Sequence, residues 1–211
     1  MHGLHYDDFL ADLEVDEVKE LTLFDLEAIS EEYSLDLISL LFKPLFNAEH
    51  INKKLKEIKL LILDVDGVMT DGGMYWTESG DQMKKFNTKD GLGIMGLTKK
   101  GFQVGIISSG FTKNMVQQRA ELLGIERCYV GQDSKLQVLT QWCTEMSISM
   151  KEVAIIGDDV NDLEVMKSVG LAICPSDAVN EIKSVCAIIL SQKGGQGCVR
   201  EFIDGYLNKF I

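Results

Sequence analysis

Six short segments that are apolar on both faces set the strongest limit on how this chain folds. They recur along residues 58–211 and alternate with stretches whose apolar residues have helical spacing. A strand that is apolar on both faces needs cover on both sides, and the helices of an α/β fold with a doubly wound parallel sheet supply it. The predicted strands are residues 60–63, 102–107, 127–130, 153–156, 171–173 and 187–190. The predicted helices lie near residues 92–100, 112–123, 135–146, 162–169 and 178–183.

One segment departs from this alternation. Residues 74–76 and residues 82–86 contain the aromatic and apolar residues that strands favour, and a polar segment at residues 77–81 separates them. Two such runs joined by a short polar segment containing Gly80 are typical of a β-hairpin. We therefore expect a β-hairpin within residues 72–86 that protrudes from the domain.

The first part of the chain has a different composition. Residues 1–57 contain 14 acidic and 5 basic side chains, so they carry −9 of the formal charge of −12. Their apolar residues have the spacing of two or three short amphipathic helices. We predict an acidic helical appendage at residues 1–56 and an α/β domain at residues 57–211. The appendage either packs on that domain or a neighbouring subunit, or binds a protein partner.

Charge and hydropathy exclude several classes of function. A formal charge of −12 repels phosphates, which argues against sequence-independent binding of nucleic acid. No apolar run approaches the roughly 20 residues that cross a bilayer, and no targeting peptide is visible at the first residues. We expect a cytoplasmic protein with no membrane partner. The five cysteines form no CxxC pair, which fits reduced thiols.

Acidic side chains follow two of the predicted strands at the edge where such sheets bind ligands. Asp64 and Asp66 follow the first strand, and Asp158, Asp159 and Asp162 follow the fourth. These carboxylates would repel one another strongly unless a cation lay between them. Carboxylate oxygens in an open site suit Mg²⁺. The sequence therefore predicts a magnesium site at this edge.

A phosphate-sized anion would fit the same crevice. Ser108 follows the second strand, and Thr112 begins a helix whose free backbone N–H groups face the site. Lys135 begins the helix after the third strand and offers a compact positive charge. Alone, Ser108 could be a helix-entry residue and Lys135 a surface lysine, so the prediction depends on the ordered set.

The order Asp-x-Asp-Gly-x-x-Thr, Ser, Lys and Gly-Asp-Asp-x-x-Asp resembles the haloacid dehalogenase superfamily of phosphohydrolases. Four segments further resemble its capless branch, which contains the 3-deoxy-D-manno-octulosonate 8-phosphate phosphatases and the phosphatases of nonulosonate (sialic-acid-type) 9-phosphates. They are DVDGVMTDG at 64–72, KFNTKDGLGI at 85–94, RAELLGI at 119–125 and GGQGCVREF at 194–202. The resemblance runs from about Glu57 to the C-terminus.

The resemblance implies a Mg²⁺-dependent phosphatase that works through an aspartyl-phosphate. Asp64 would be the nucleophile, and Asp66 would be the general acid and then the general base. Asp64, the backbone carbonyl of Asp66 and Asp158 would hold Mg²⁺. Asp159 and Asp162 would lie around these ligands without binding Mg²⁺ and would hold them in position.

The resemblance also implies how the substrate is held. Ser108 and Lys135 would bind the phosphoryl oxygens, and Ser109, Asn87 and Lys89 would contact the remainder of the substrate. That substrate would be the phosphate of a 3-deoxy-2-ulosonic acid, octulosonate or nonulosonate, from lipopolysaccharide or sialic acid biosynthesis. A homotetramer is implied as well, in which neighbouring subunits cover the site.

Two positions depart from the octulosonate phosphatases. Gly110 stands where those enzymes usually have the arginine of Thr-Gly-Arg, and Gln196 replaces the arginine of Gly-Gly-Arg-Gly. An arginine binds a carboxylate through a fixed fork, whereas lysine acts as a point charge. Lys89, Lys113 and Arg200 are the candidates to bind the substrate carboxylate in place of the two missing arginines. Without those arginines, we expect a broader substrate range than that of a typical octulosonate phosphatase.

A second interpretation is a catalytically silent domain that tetramerises a partner in sialic acid or surface-sugar metabolism. A silent domain could lose Asp66 or Asp158 without penalty. This chain keeps both, together with Asp64, Ser108 and Lys135. The complete set favours an enzyme.

Overall fold

The computed structural model describes residues 21–32 and 49–211. The chain divides into two compact units, residues 1–49 and residues 50–211. In the first unit, helix α1 (Leu23–Glu32) follows Thr22, whose N–H donates to Asp25 Oδ2 (2.7 Å). Helix α1 is one of the helices expected in the appendage. Those expected around residues 9–20 and 37–41 lie outside the described residues.

The second unit contains the predicted parallel sheet. The strands are β1 (Leu60–Leu63), β2 (Tyr75–Trp76), β3 (Gln82–Met83), β4 (Gln103–Ser108), β5 (Arg127–Val130), β6 (Val153–Ile156), β7 (Leu171–Cys174) and β8 (Ile188–Ile189). Six of them form one sheet in the order β5-β4-β1-β6-β7-β8, and every neighbouring pair is parallel. The α/β fold is therefore confirmed, and the predicted strands at 60–63, 127–130 and 153–156 have the observed bounds.

Helices follow the strands as predicted at residues 88–99, 113–122, 135–146, 163–168 and 180–183, whereas the helix at residues 49–57, before β1, and the helix at residues 198–205 were not predicted. The helices are α2 (Glu49–Glu57), α3 (Thr88–Lys99), α4 (Lys113–Leu122), α5 (Lys135–Met146), α6 (Leu163–Ser168), α7 (Asn180–Lys183) and α8 (Cys198–Gly205). Helix α3 begins four residues before its predicted start because the side chain of Asn87 caps it, accepting a hydrogen bond from the N–H of Lys89 (2.8 Å). In the described residues, no helix is long and apolar enough to span a bilayer.

The core lies against the central strands. All four residues of β1 are fully buried, as expected of a strand with cover on both sides. Leu60 and Ile62 pack in one cluster with Leu139 of α5 and Val165 of α6. The alternate residues Leu61 and Leu63 point to the opposite face and are also fully buried. Helix α3 contacts the neighbouring strand β4 and packs against α8. Both faces of β1 are thus withdrawn from water, which leaves only its carboxyl end to present polar groups.

The predicted hairpin is present between β1 and α3. Strands β2 and β3 are antiparallel, with Tyr75 opposite Met83 and Trp76 opposite Gln82. A further antiparallel bridge pairs Thr70 with Phe86 and joins the base of the hairpin to the chain that follows β1. The hairpin is therefore attached directly to the segment that carries Asp64 and Asp66.

The loop before α8 packs with its backbone against the turn that follows β1. Gly195 N–H donates to the carbonyl of Val68 (2.9 Å), and Asn87 Nδ2 donates to the carbonyl of Gly195 (3.0 Å). A Cβ at Gly194 would collide with the carbonyl of Gly67. Only a glycine at position 194 allows the two backbones to come this close. The loop before α8 therefore stabilises the turn after β1 by direct backbone contact.

This contact predicts opposite effects for two glycine substitutions. Gly194→Ala should lower the free energy of unfolding by about 1–3 kcal/mol, the usual cost of forcing an extra group into a packed site. Gly96→Ala should raise it by about 0.5–1 kcal/mol, because Gly96 lies in the interior of α3 with open space around its Cα. Chemical denaturation of the full chain measures both changes. Equal stability of the two variants would mean that the loop does not support the turn.

Candidate active site

The polar residues that follow β1, β4 and β6 meet at one edge of the sheet, at the point where the strand order reverses direction. β1 lies between β4 and β6, and the chain proceeds from β1 to β4 on one side and later to β6 on the other. Connections that leave in opposite directions open a crevice at the carboxyl edge of a parallel sheet. A cavity of about 470 Å³ lies there. Its wall includes Asp64, Asp66, Ser108, Ser109, Asp158 and Asp159. The two acidic clusters meet, as the strand order predicts.

Lys135 is enclosed between two carboxylates. Its Nζ donates to Asp64 Oδ1 (2.8 Å) and to Asp162 Oδ1 (2.7 Å), and all three residues are buried. Burial alone would lower the pKa of Lys135, but the two negative charges outweigh burial and raise it. Lys135 is therefore a buried, charged member of the site rather than a surface lysine.

Asp64 occupies the first position after β1. Its N–H donates to the carbonyl of Ile156 at the end of β6 (3.1 Å), which fixes the backbone between the two strand ends. Burial raises the pKa of Asp64, and the charge of Asp162 raises it further, whereas Lys135 opposes both effects. A cation beside Asp64 would relieve the penalty on its charged form.

Asp158 has the features of a cation ligand. Its Oδ1 is buried and has no hydrogen-bond partner among the described residues. Burial, followed by the charges of Asp64, Asp162 and Asp159, raises the pKa of Asp158 to about 8. Carboxylate oxygens of Asp64, Asp158 and Asp162 lie within 4.8 Å of one another. An unpartnered carboxylate oxygen in such a cluster fits Mg²⁺, which prefers oxygen ligands.

A glycine permits this arrangement. Gly67 has φ +83°, and a Cβ there would collide with the carboxylate of Asp158. The Asp-x-Asp-Gly turn can therefore approach the second acidic cluster only because residue 67 has no side chain.

Asp66 is held by a residue that the sequence analysis did not identify. The ammonium of Lys84, at the base of the hairpin, forms an ion pair with Asp66 Oδ1. Both residues line the cavity. The side chain of Lys84 is 3% exposed. A signal was present in the sequence. If the predicted hairpin is continued to the segment after the Asp-x-Asp turn, one of the adjacent residues Lys84 and Lys85 must face Asp64 and Asp66.

The end of β4 supplies the opposite wall. Ser108 is buried, and its Oγ accepts a hydrogen bond from the N–H of Gly110 (3.2 Å). The carbonyl of Ser109 accepts from Gln132 Nε2 (2.8 Å). A Cβ on Gly110 would lie 3.2 Å from Ser108 Oγ and 3.5 Å from Asp66 Oδ2. A side chain at position 110 would therefore lie beside both groups.

The other predicted site residues have different positions. Asp162 is fully buried, and its Oδ2 accepts from the N–H of Asp158 (3.3 Å), so it orients both Lys135 and Asp158. Asp159 lines the cavity and accepts from the N–H of Val160 (2.7 Å). Among the described residues, the cavity wall includes neither Asn87, which caps α3, nor the exposed Lys89. Their contact with substrate stays a prediction.

The candidates to replace the missing arginines lie away from the acids. Arg200 Nε pairs with Asp204 Oδ2 (2.5 Å). Lys113 lines a separate cavity together with Phe111. The basic residue in the wall described above is therefore Lys84, which already pairs with Asp66.

Comparison with known proteins agrees with this geometry. A sequence profile of the haloacid dehalogenase-like hydrolases matches residues 128–203. The chain is 37% identical over 155 residues to the 3-deoxy-D-manno-octulosonate 8-phosphate phosphatase of Salmonella typhi, covering 74% of this chain and 82% of that protein. It is 38% identical over 151 residues to the enzyme of the same name from Escherichia coli K12, covering 72% and 80% respectively.

Solved structures give the same result. The phosphatase of this name from Moraxella catarrhalis, in complex with magnesium, phosphate and KDO, superposes with a TM-score of 0.73 at 34% identity. The match covers 78% of this chain and 95% of that one. The cobalt-bound enzyme from Haemophilus influenzae gives a TM-score of 0.70 at 32% identity, over 74% and 91% of the two chains.

The raised carboxyl pKa values predict how Mg²⁺ affects stability at different pH. The pKa of Asp158 is about 8 in the folded protein and ordinary in the unfolded chain, so the folded metal-free protein holds a proton that the unfolded chain has lost. Its free energy of unfolding therefore falls as the pH rises toward that value. Mg²⁺ competes with this proton, so it should raise the Tm more at about pH 8 than at about pH 6. Thermal unfolding with Mg²⁺ and with a chelator measures the difference.

Two variants provide the controls. Asp158→Asn should lose most of the Mg²⁺ effect and much of the pH dependence, because it removes the titrating ligand. Asp204→Asn should keep both, since Asp204 pairs with Arg200 on the surface. If Mg²⁺ raised the Tm of the Asp158 variant as much as that of the wild type, Asp158 would not be a ligand.

Proposed function

The chain belongs to the haloacid dehalogenase-like hydrolases and, within them, to the family of the 3-deoxy-D-manno-octulosonate 8-phosphate phosphatases, and on this premise we propose that it hydrolyses the phosphate monoester of a 3-deoxy-2-ulosonic acid. The substrate is octulosonate 8-phosphate or a nonulosonate 9-phosphate. The observation that carries the proposal is the meeting of Asp64, Lys135 and Asp158 at one strand edge, with Asp66 in the same cavity.

We propose that Asp64 attacks phosphorus and forms an aspartyl-phosphate. Its position after β1 is fixed by a backbone hydrogen bond, and Lys135 holds Oδ1, so the carboxylate has one orientation in the cavity wall. A nucleophile that is already oriented loses little entropy when it reacts. Splitting hydrolysis into two displacements makes each of them easier.

Asp66 has the position of an acid and base catalyst. It lies two residues from Asp64 and lines the same cavity. In the first step its carboxyl donates a proton to the leaving sugar oxygen as the bond from that oxygen to phosphorus breaks. In the second step its carboxylate takes a proton from the water that attacks the aspartyl-phosphate. Proton transfer of this kind contributes about 10²–10⁴-fold to rate.

The donor set fits a divalent cation. Asp64, Asp158 and the backbone carbonyl of Asp66 would hold Mg²⁺, and Asp162 and Asp159 would keep the surrounding groups in place. Bound Mg²⁺ supplies positive charge that offsets the charge on the transferred phosphoryl group.

Lys135 and Ser108 would bind the remaining phosphoryl oxygens. Lys135 keeps its charge because two carboxylates surround it. It therefore offers a fixed positive charge that needs no reorganisation during the reaction. Ser108 lies at the end of β4 on the far side of Asp66, where its hydroxyl faces the same cavity.

Beyond the catalytic groups, we propose a homotetramer in which neighbouring subunits cover the cavity. Met74, Tyr75, Trp76 and Met83 of the hairpin are all more than half exposed, a large apolar surface for one protruding element. The appendage at residues 1–56 remains a candidate for binding a protein partner. The alternative of a catalytically silent domain is disfavoured because the chain keeps both acids of the Asp-x-Asp turn, each paired with a lysine.

Substitution of Asp64 tests the mechanism. Asp64→Asn should reduce turnover of the sugar-acid phosphate by at least about 10³-fold, because an amide cannot attack phosphorus. The amide oxygen could still serve as a ligand for Mg²⁺, so the Mg²⁺-induced rise in Tm should persist in part. Steady-state phosphate release and thermal unfolding measure the two properties, with Asp204→Asn as a surface control. Near-normal single-turnover hydrolysis by the Asn variant would exclude Asp64 as the nucleophile.

Substitution of Gly110 tests the substrate range. The wild type should hydrolyse octulosonate 8-phosphate and a nonulosonate 9-phosphate with kcat/KM values within about 10³-fold, or roughly 4 kcal/mol, of each other, with a slight preference for the longer sugar. Gly110→Arg restores an arginine whose Cβ would lie beside Ser108 and Asp66, and it should shift the ratio of kcat/KM values toward octulosonate 8-phosphate.

Gly110→Ala is the matched control, since it adds the same Cβ without the charge. A wild-type preference larger than the stated limit would refute the broad range. An equal ratio in the Arg and Ala variants would place the selecting residues elsewhere.

A further inference from the structure

Two adjacent lysines at the base of the hairpin point in opposite directions. The antiparallel bridge between Thr70 and Phe86 sets the register, and consecutive side chains of an extended segment alternate between its faces. Lys85 points outward, where it is 63% exposed and pairs with Asp71 Oδ2 (2.7 Å). The side chain of Lys84 is 3% exposed and pairs with Asp66.

The pairing of Lys84 is built into the fold. A buried ammonium is costly unless a carboxylate compensates it. The hairpin withdraws Lys84 from water and directs it to Asp66, across a sequence separation of 18 residues. Lys84 and Asp66 also share the cavity wall with Asp64.

We infer that Lys84 is a positioning residue for the first chemical step. It holds the Asp66 carboxyl group in one orientation in the cavity wall. This inference rests on the proposed role of Asp66 as the general acid. It assigns to the hairpin a function within its own subunit.

The step is balanced as follows. A bond forms between Asp64 and phosphorus while the bond from phosphorus to the leaving oxygen breaks, and the Asp66 proton passes to that oxygen. Lys84 keeps its own proton throughout. Its contact with Oδ1 fixes the carboxyl group, so that Oδ2 is the oxygen that delivers the proton. A proton donor that is already oriented loses little entropy in the transition state, which raises the rate of the step.

The leaving group distinguishes this role from a merely structural one. An alkyl phosphate such as octulosonate 8-phosphate loses a strongly basic oxygen that needs a proton from Asp66. p-Nitrophenyl phosphate loses a stable phenolate that needs none. Loss of Lys84 should therefore slow the first step on the alkyl phosphate alone, whereas displacement of the hairpin or of Asp64 would slow both.

The experiment measures the first turnover of the full chain with Mg²⁺ by rapid quench, following the dephosphorylated product. Lys84→Met removes the charge and keeps the stem, and Lys84→Gln is the second neutral variant should the first fail to fold. Lys84→Arg keeps the charge. Lys85→Met is the matched control, because it removes the neighbouring lysine that faces solvent.

We expect the neutral Lys84 variants to slow the first step on the alkyl phosphate by about 10–100-fold, part of the acid–base contribution, and to change the rate on p-nitrophenyl phosphate less than about 3-fold. Lys84→Arg should recover most of the rate, and Lys85→Met should match the wild type. Equal losses on the two substrates, no loss on either, or an equal loss in Lys85→Met would overturn the inference.

Failure of the role assigned to Lys84 can be distinguished from failure of the proposed function. If the wild type hydrolyses no sugar-acid phosphate, the proposed substrate is wrong, and the comparison uses whichever primary alkyl phosphate the protein does hydrolyse. If it hydrolyses no phosphomonoester, both proposals are overturned.

Discussion

The buried ammonium of Lys135 is the interaction on which the rest of the site depends. Parallel strands bring Asp64 and Asp162 together at one edge, where their charges would otherwise repel each other in a poorly solvated space. Lys135 donates to both at 2.7–2.8 Å and offsets part of that repulsion. The compensation is incomplete, because Asp158 keeps an unpartnered oxygen and a pKa raised to about 8. The excess of negative charge that remains is what a divalent cation would neutralise.

Two glycines, whose lack of a side chain permits close contacts, make this concentration of charge possible. Gly67 lets the turn after β1 approach Asp158, and Gly194 lets the loop before α8 approach the carbonyl of Gly67. The three segments therefore stack closely, with the turn that carries Asp64 and Asp66 in the middle. A turn supported on both sides holds Asp64 and Asp66 in fixed positions, which is the condition for electrostatic catalysis. Residues of the hairpin and of the end of β4 complete the wall of the cavity.

The hairpin has two surfaces with different chemistry. Its tip exposes aromatic and methionine side chains, as expected of a surface that a neighbouring subunit covers. Its base directs Lys84 to Asp66. In the proposed tetramer, the surface that a neighbouring subunit covers and the lysine that pairs with Asp66 would therefore belong to the same element. On the opposite wall, Gly110 has no side chain, so the loop after β4 leaves space beside Ser108 and Asp66.

The sequence by itself determined the alternation of strands and helices, the order of the acidic residues in the site and the hairpin. These features depend on apolar spacing and on residues that are close in the chain. It placed β1, β5, β6 and α5 at their observed bounds. It did not indicate that Lys84 rather than Lys85 reaches Asp66, or that Asn87 caps α3 and contacts Gly195 across 108 residues. Only the tertiary structure decided these contacts. Pairing between segments distant in the chain depends on register and packing, which no local pattern specifies.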